Sequence, residues 1–167
     1  MITQEKLKEI LHYDLQTGLW TWLISKKGTA AGSRGGCIRK GCGHRQIMIE
    51  KKMYRSSRLA IFYVTGKFPP KHLDVDHKNG VCDDDRYENL RLATRSQNIA
   101  NSKKATVIRI TNRLKGAHYR KDANRWCAHV HVNNKIIHIG YFDTEEQAHD
   151  AYMKASRKYH GEFARAS

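Results

Sequence analysis

Between Glu88 and Asp122 the chain carries no acidic residue, yet Arg91, Arg95, Lys103, Lys104, Arg109, Arg113, Lys115, Arg120 and Lys121 all fall inside that interval. A stretch of one sign repels itself unless a phosphate backbone neutralises it. For any single lysine in it, the plainer reading is a solvated linker. The whole chain leans the same way, with 31 Lys+Arg against 16 Asp+Glu in 167 residues, a net charge of +15 at pH 7 and a pI near 9.9. Such a surface attracts polyanions, either nucleic acid or an anionic membrane. No basic amphipathic helix with bulky apolar anchors stands out, and no apolar run approaches the ~18 residues of a spanning helix, so no membrane partner is expected. The polar opening MITQEKLKEI reads as a helix and not as a secretory signal. Four scattered cysteines, Cys37, Cys42, Cys82 and Cys127, fit intracellular thiols better than a disulfide scaffold.

Hydrophobic content of 40% supports compact but small cores. Three segments separate by pattern. The first predicts a helix over Gln4–Leu11, strands around Leu19–Ile24 and Gln46–Ile49, and a hairpin closed by Glu50-Lys51-Lys52 onto Met53–Arg55. A Gly-rich connector, Gly28–Gly43, lies between these strands. Ser56/Ser57 should cap a helix over Arg58–Thr65, ended by Gly66 and Pro69-Pro70. The second segment reads as a strand (His72–Asp76), a polar loop (Lys78–Tyr87), a strand (Leu90–Ala93) and a helix opened by Thr94, with Gln97 at the capping-box spacing. After a basic linker, the third reads as three strands (Gly116–Arg120, Arg125–Val132, Lys135–Tyr141) and a helix (Glu145–Tyr159) capped by Thr144.

The last hairpin has a calculable register. A two-residue turn at Asn133-Asn134 pairs Val132 with Lys135 and His129 with His138, and continues to Ala128 with Ile139 and Trp126 with Tyr141. Trp126, Ala128, Val130, Ile137, Ile139 and Tyr141 then share an apolar face, turned toward Ala148, Ala151, Tyr152 and Ala155 of the helix. Arg125, His129, His131 and His138 take the other face, joined by His118 and Arg120 from the first strand. Cys127 falls on that outward face, with no chemistry assigned to it.

The chemistry concentrates in Asp76-His77, Asn89 and Asn98. Asp76 is a hard oxygen ligand suited to Mg²⁺ or Mn²⁺. His77 beside it can deprotonate water near neutral pH. The Asn89 carbonyl, opening the second strand, is placed to hold the imidazole N–H, and Asn98 offers a second neutral oxygen ligand. The plain alternative for all four is a polar loop with a satisfied histidine.

The ordered string Asp76-His77-Lys78-Asn79-Gly80, Asn89-Leu90-Arg91 and Gln97-Asn98 resembles the HNH endonucleases with a ββα-metal (His-Me finger) motif, closest to phage and intron-encoded homing endonucleases. The resemblance spans roughly residues 15–104. It implies that Asp76 and Asn98 bind the metal, His77 is the general base and Asn89 orients it. The substrate implied is double-stranded DNA, cut by phosphodiester hydrolysis. Two positions depart from the family pattern. The third letter of the motif is Asn98 rather than His, as in the homing subgroup. The loop reads Asp83-Asp84-Asp85-Arg86 where Asp-Asn-Arg is expected.

Residues 115–163 carry a second resemblance. Gly116-Ala117-His118-Tyr119, Trp126-x-Ala128, Ile139-Gly140-Tyr141-Phe142-Asp143-Thr144, Glu146-Gln147-Ala148 and Ala151-Tyr152 are similar to the APETALA/ethylene-response-factor DNA-binding domain, a three-stranded sheet on one helix. By that resemblance Lys115, His118, Arg120, Arg125, His129, His131 and His138 face DNA. Lys103, Lys104, Arg109 and Arg113 of the linker would track the backbone. The plant domain has more Arg and Trp on that face, so sequence preference does not transfer.

The expectation is therefore an α+β chain. A nuclease domain over 1–104, with its HNH core at 71–104, leads through a basic linker at 105–115 to a DNA-binding sheet over 116–167. It would act as a monomer or weak dimer in the cytoplasm of a bacterial host. The main rival is a DNA-binding regulator on an inert HNH scaffold. Cys37-x₄-Cys42-x-His44 is read as ordinary thiols in a Gly-rich connector, not as structural zinc. The His129/His138 pair is read as DNA-facing and not metal-binding. Asp83–Asp85 are taken as solvated loop carboxylates.

Overall fold

A computed structural model describes residues 2–41, 43–102, 114–133 and 135–165. The expected linker contacts Lys103, Lys104, Arg109 and Arg113 lie outside the described residues, as does Cys42. The elements run α1 (Gln4–Ile10), β1 (Leu11–Tyr13), β2 (Trp20–Trp22), β3 (Cys37–Ile38), β4 (Arg45–Ile49), β5 (Lys52–Arg55), α2 (Ser56–Thr65), β6 (Asp74–His77), β7 (Leu90–Ala93) and α3 (Arg95–Asn101). They continue with β8 (Ala117–Arg120), β9 (Arg125–Val132), β10 (Lys135–Phe142) and α4 (Glu145–His160). The mixed α+β class is as expected. Among the described residues, no helix is long and apolar enough to cross a membrane.

Two compact units divide the chain, Met1–Leu92 and Ala93–Ser167. The first holds three small antiparallel pairings, β1-β2, β3-β4-β5 and β6-β7. Its core gathers Leu7, Leu11, Tyr13, Trp20, Ile47 and Leu59, all essentially sealed from solvent. Glu50 and Lys51 form the two-residue connection of the β4–β5 hairpin, both with positive φ, and Lys52 already pairs with Ile49. Gly66 ends α2 in the left-handed conformation. The β1–β2 turn is pressed against the loop that precedes β7. At Gly18, φ is +71° and a Cβ would stand 2.5 Å from the backbone of Asp85 and Arg86. Only glycine permits that approach.

The second unit stacks α4 on the sheet β10-β9-β8. Asn133 takes positive φ at the hairpin turn, and the register runs as expected from Val132–Lys135 to His129–His138. A bulge between His138 and Gly140 then moves the pairing by one residue. Gly140 faces Ala128, Tyr141 faces Cys127 and Phe142 faces Trp126. The expected apolar face is corrected at one position: Phe142 packs into the core beside Trp126, and Tyr141 joins the histidine face, its ring 4.9 Å from His138. Cys127 lies beneath that face and is buried.

The sequence reading placed α3 with the nuclease domain and ended that domain at residue 104. In the structure α3 belongs to the second unit. Lys115 Nζ donates to the carbonyls of Ala100 (2.5 Å) and Ser102 (2.8 Å) at the end of α3, and to that of Arg165 (3.1 Å). Ser96 Oγ donates to the carbonyl of His131 at 2.8 Å. A cation suits a helix C-terminus, where unpaired carbonyls gather.

Candidate active site

His77 ends β6 and is buried, with 4% of its surface exposed. Its Nε2 lies 2.9 Å from Asp85 Oδ1. Asp85 is more deeply buried, at 1%. The Ser56 hydroxyl donates to the second carboxylate oxygen, Asp85 Oδ2, and also lies 3.1 Å from the Arg45 carbonyl. Tyr13 OH donates to the Asp85 carbonyl at 2.5 Å. A carboxylate held by Ser56, on a residue whose backbone is held by Tyr13, thus fixes the imidazole ring. Burial and the nearby Asp85 carboxylate push the Tyr13 phenol well above its usual range, so it stays a neutral donor.

Ser56 corrects the sequence reading. It was expected as a helix cap, yet α2 is preceded by Arg55 with no side-chain cap, and Ser56 sits inside the first turn facing the site. The acidic loop is a second correction, because its three aspartates are each paired and Asp85 is buried. Asp83 accepts from Arg45 Nε at 3.0 Å and Nη2 at 3.2 Å, and Arg45 itself is buried. Asp84 accepts from Arg86 Nε at 2.8 Å and Nη2 at 2.7 Å, and from Asn79 Nδ2 at 2.6 Å. The Arg86 hydrogen bonds hold the Asp84 carboxyl down at about 2. Asp85 takes the histidine.

Asn89 is buried as well, but its side chain does not meet His77. Its Nδ2 donates to Asn79 Oδ1 (3.1 Å) and to the Asp84 carbonyl (2.7 Å), and its Oδ1 accepts the Asn79 N–H at 3.0 Å. Both ends of the carboxamide are spent on the 79–84 loop. The expected orienting contact from Asn89 is therefore replaced by Asp85, with Asn89 holding the loop that delivers Asp85. Asp76, also 4% exposed, accepts from Arg91 Nε at 2.8 Å across the β6–β7 pair. Asn98 lies on α3, in the second unit, behind a complete capping box between Thr94 and Gln97.

His44, weighed in the sequence only as part of a zinc reading, lies beside His77. Its ring centroid is 5.7 Å from that of His77, and its Nδ1 is buried without a partner among the described residues. Burial, then the charge of Arg55, keeps His44 neutral below the usual histidine range. Among the described residues, no three His, Cys, Asp or Glu side chains converge as a metal cluster.

The candidate DNA-facing residues fare differently from one another. His118, His129, His131 and His138 share one sheet face, where His118 and His129 rings are 4.5 Å apart and His129 and His131 rings 5.1 Å. His138 Nδ1 stands 3.8 Å from Cys127 Sγ. Arg120 is exposed and bound to Asp122, and Arg125 is exposed and bound to Asp143 at 2.7 Å. Lys115 is engaged within its own unit. Its three ammonium hydrogens cap α3 and hold Arg165, and burial, with the charge of Arg165, brings its pKa down to about 8.

Residues 54–100 match the family model of HNH endonucleases. The matched HNH segment runs from β5 to the last turn of α3 and contains Asp76, His77, Asn89 and Asn98. No curated protein matches the chain.

Proposed function

We propose that the chain is a metal-dependent DNA endonuclease that hydrolyses phosphodiester bonds, of the homing type carried by phages or mobile elements. The observation that carries this reading is the buried His77–Asp85 contact at 2.9 Å inside the HNH segment. With Asp85 ionised, Nε2 holds the ring proton and the lone pair resides on Nδ1, the nitrogen that must accept a proton from water. His77 removes that proton as the water oxygen bonds to phosphorus and the P–O3′ bond breaks. Asp85 keeps the tautomer and the ring angle, and Asn89 keeps the loop. Arg91 neutralises Asp76 when no cation is present.

By donor chemistry, a hard divalent cation is the metal this reading calls for. Asp76 would supply a carboxylate and Asn98 a carboxamide oxygen, and such ions commonly take only one or two protein ligands plus substrate phosphate oxygens. Bound Mg²⁺ or Mn²⁺ supplies charge stabilisation at the phosphorane-like transition state and the leaving oxygen. The second unit, through its histidine face, would position the duplex.

Supercoiled plasmid incubated with the purified protein tests the activity. Nicked or linear product with Mg²⁺, absent with EDTA, is the expected result. Tight binding with no cleavage in either Mg²⁺ or Mn²⁺ would favour the regulator on an inert scaffold.

A further inference from the structure

Beside the β5–α2 junction of the first unit lies an open cavity of about 700 Å³, within the ~300–1,000 Å³ range of ligand sites. Its floor is apolar, made by Met53, Tyr54, Phe68 and Pro69. Phe68 stacks on Phe62 with centroids 3.9 Å apart and on Tyr54 at 6.1 Å, so the aromatic wall is anchored in the core. Lys52, Arg55 and Lys71 stand exposed around it, and no acidic residue lines it. Arg58, also lining, has a structural duty. Its guanidinium donates to the carbonyls of Leu73 (2.9 Å), Pro70 (3.1 Å) and Pro69, fixing the wall that bears Phe68 and Lys71.

An apolar, aromatic floor ringed by cations is the composition that takes a nucleobase and its phosphates together. A fully paired duplex offers only phosphates to such a cavity, because its bases are stacked. An unpaired nucleotide offers both. Position favours the same occupant. Arg55 lies at the cavity rim, directly before Ser56, whose hydroxyl binds the Asp85 that meets His77. The cavity therefore adjoins the His77 site.

We propose that this cavity binds an unpaired nucleotide of the DNA substrate, its base on the Met53/Tyr54/Phe68 floor and its phosphates on Lys52, Arg55 and Lys71. The proposal rests on the endonuclease reading for its substrate, though not for its test. The unmodified full-length protein in EDTA is titrated against a paired duplex and the same duplex with one bulged 2-aminopurine. The bulged duplex should bind roughly tenfold more tightly, with the probe's fluorescence changing on binding, since one base stacked on an aromatic side chain is worth ~1–3 kcal/mol. Met53→Asp, at a side chain 48% exposed, should abolish that preference while leaving the melting temperature close to the parent. Lys52→Glu with Lys71→Glu should weaken both duplexes.

Equal affinity for both duplexes, or a preference that Met53→Asp leaves intact, overturns the proposal. Plasmid cleavage in Mg²⁺ is scored on the same preparations. Cleavage without bulge preference removes the cavity proposal and spares the endonuclease. Bulge preference without cleavage does the reverse.

Discussion

Two sets of histidines stand in contrasting surroundings. In the first unit, buried His77 meets a buried carboxylate; Ser56 donates to that carboxylate and Tyr13 to the backbone carbonyl of the same residue. In the second, His118, His129, His131 and His138 lie half-exposed on a sheet and meet chiefly one another, Cys127 and Tyr141. His118 Nε2 and His129 Nδ1 are 3.3 Å apart, so at most one of them carries a proton in that contact. The residue type is the same and the chemistry open to it is not. A carboxylate fixes one tautomer, which suits proton transfer. Burial, with nearby positive charge, disfavours charge on His118 and His129 and leaves those two rings neutral to contact a partner.

The sharpest way to break this contrast is to remove one histidine of each kind. His77→Ala should abolish plasmid cleavage and spare duplex binding, whereas His129→Ala should leave the single-turnover cleavage rate of bound DNA unchanged. A parental rate from His77→Ala would end its assignment as base. Next in size is Asp85→Asn, which keeps the volume and removes the charge. It should lower kcat by roughly 10²-fold, the lower range for losing general-base assistance, with KM little changed. If KM rises instead, Asp85 serves binding and not ring position.

Two stability measurements separate the units. Gly116 has φ +79°, and a Cβ there would fall 2.0 Å from the Tyr152 ring. Gly116→Ala should cost at least the ~1–3 kcal/mol of an overpacked core, confined to the second unit. Hydrogen exchange should then rise across β8–β10 and remain slow across α2 and β4. Uniform loss of protection would mean that the units do not melt independently.

Acidification gives the smallest effect. Burial holds His118, His129 and His160 below the usual histidine value, with nearby positive charge adding to the shift. A depressed folded-state value means that the unfolded chain binds protons first as pH falls. The second unit should therefore be most stable above about pH 6.5 and lose stability as pH drops through the depressed values. Thermal melts between pH 8 and 5 read this directly, and a second unit that gains stability on acidification would contradict it.

Much of the fold was legible because it rests on local rules. The capping box of Thr94 and Gln97, the left-handed Gly66, the Asn133 turn and the alternation along β9 each follow from a few neighbouring residues. The bulge after His138 was not legible. Strict alternation would have carried Tyr141 into the core, whereas the bulge pairs Phe142 with Trp126 and turns Tyr141 to the other face. Nor did composition distinguish Lys115 from the other cations of its interval, since its burial against α3 depends on residues far along the chain.

For the candidate site, the sequence by itself determined the cast. Asp76, His77, Asn89 and Asn98 were proposed from order and spacing, and all four fall within residues 54–100, which match the HNH family model. Tertiary structure alone decided who holds the histidine. Three consecutive aspartates are equivalent in a string, and they become distinct when Arg45 claims Asp83, Arg86 and Asn79 claim Asp84, and the turn at Gly18 presses Asp85 inward. Ser56 and Tyr13 then meet Asp85 from 29 and 72 residues away. The reason is physical: helix caps and turns are written in residues a few positions apart, whereas a buried carboxylate persists only where distant donors converge to replace its water.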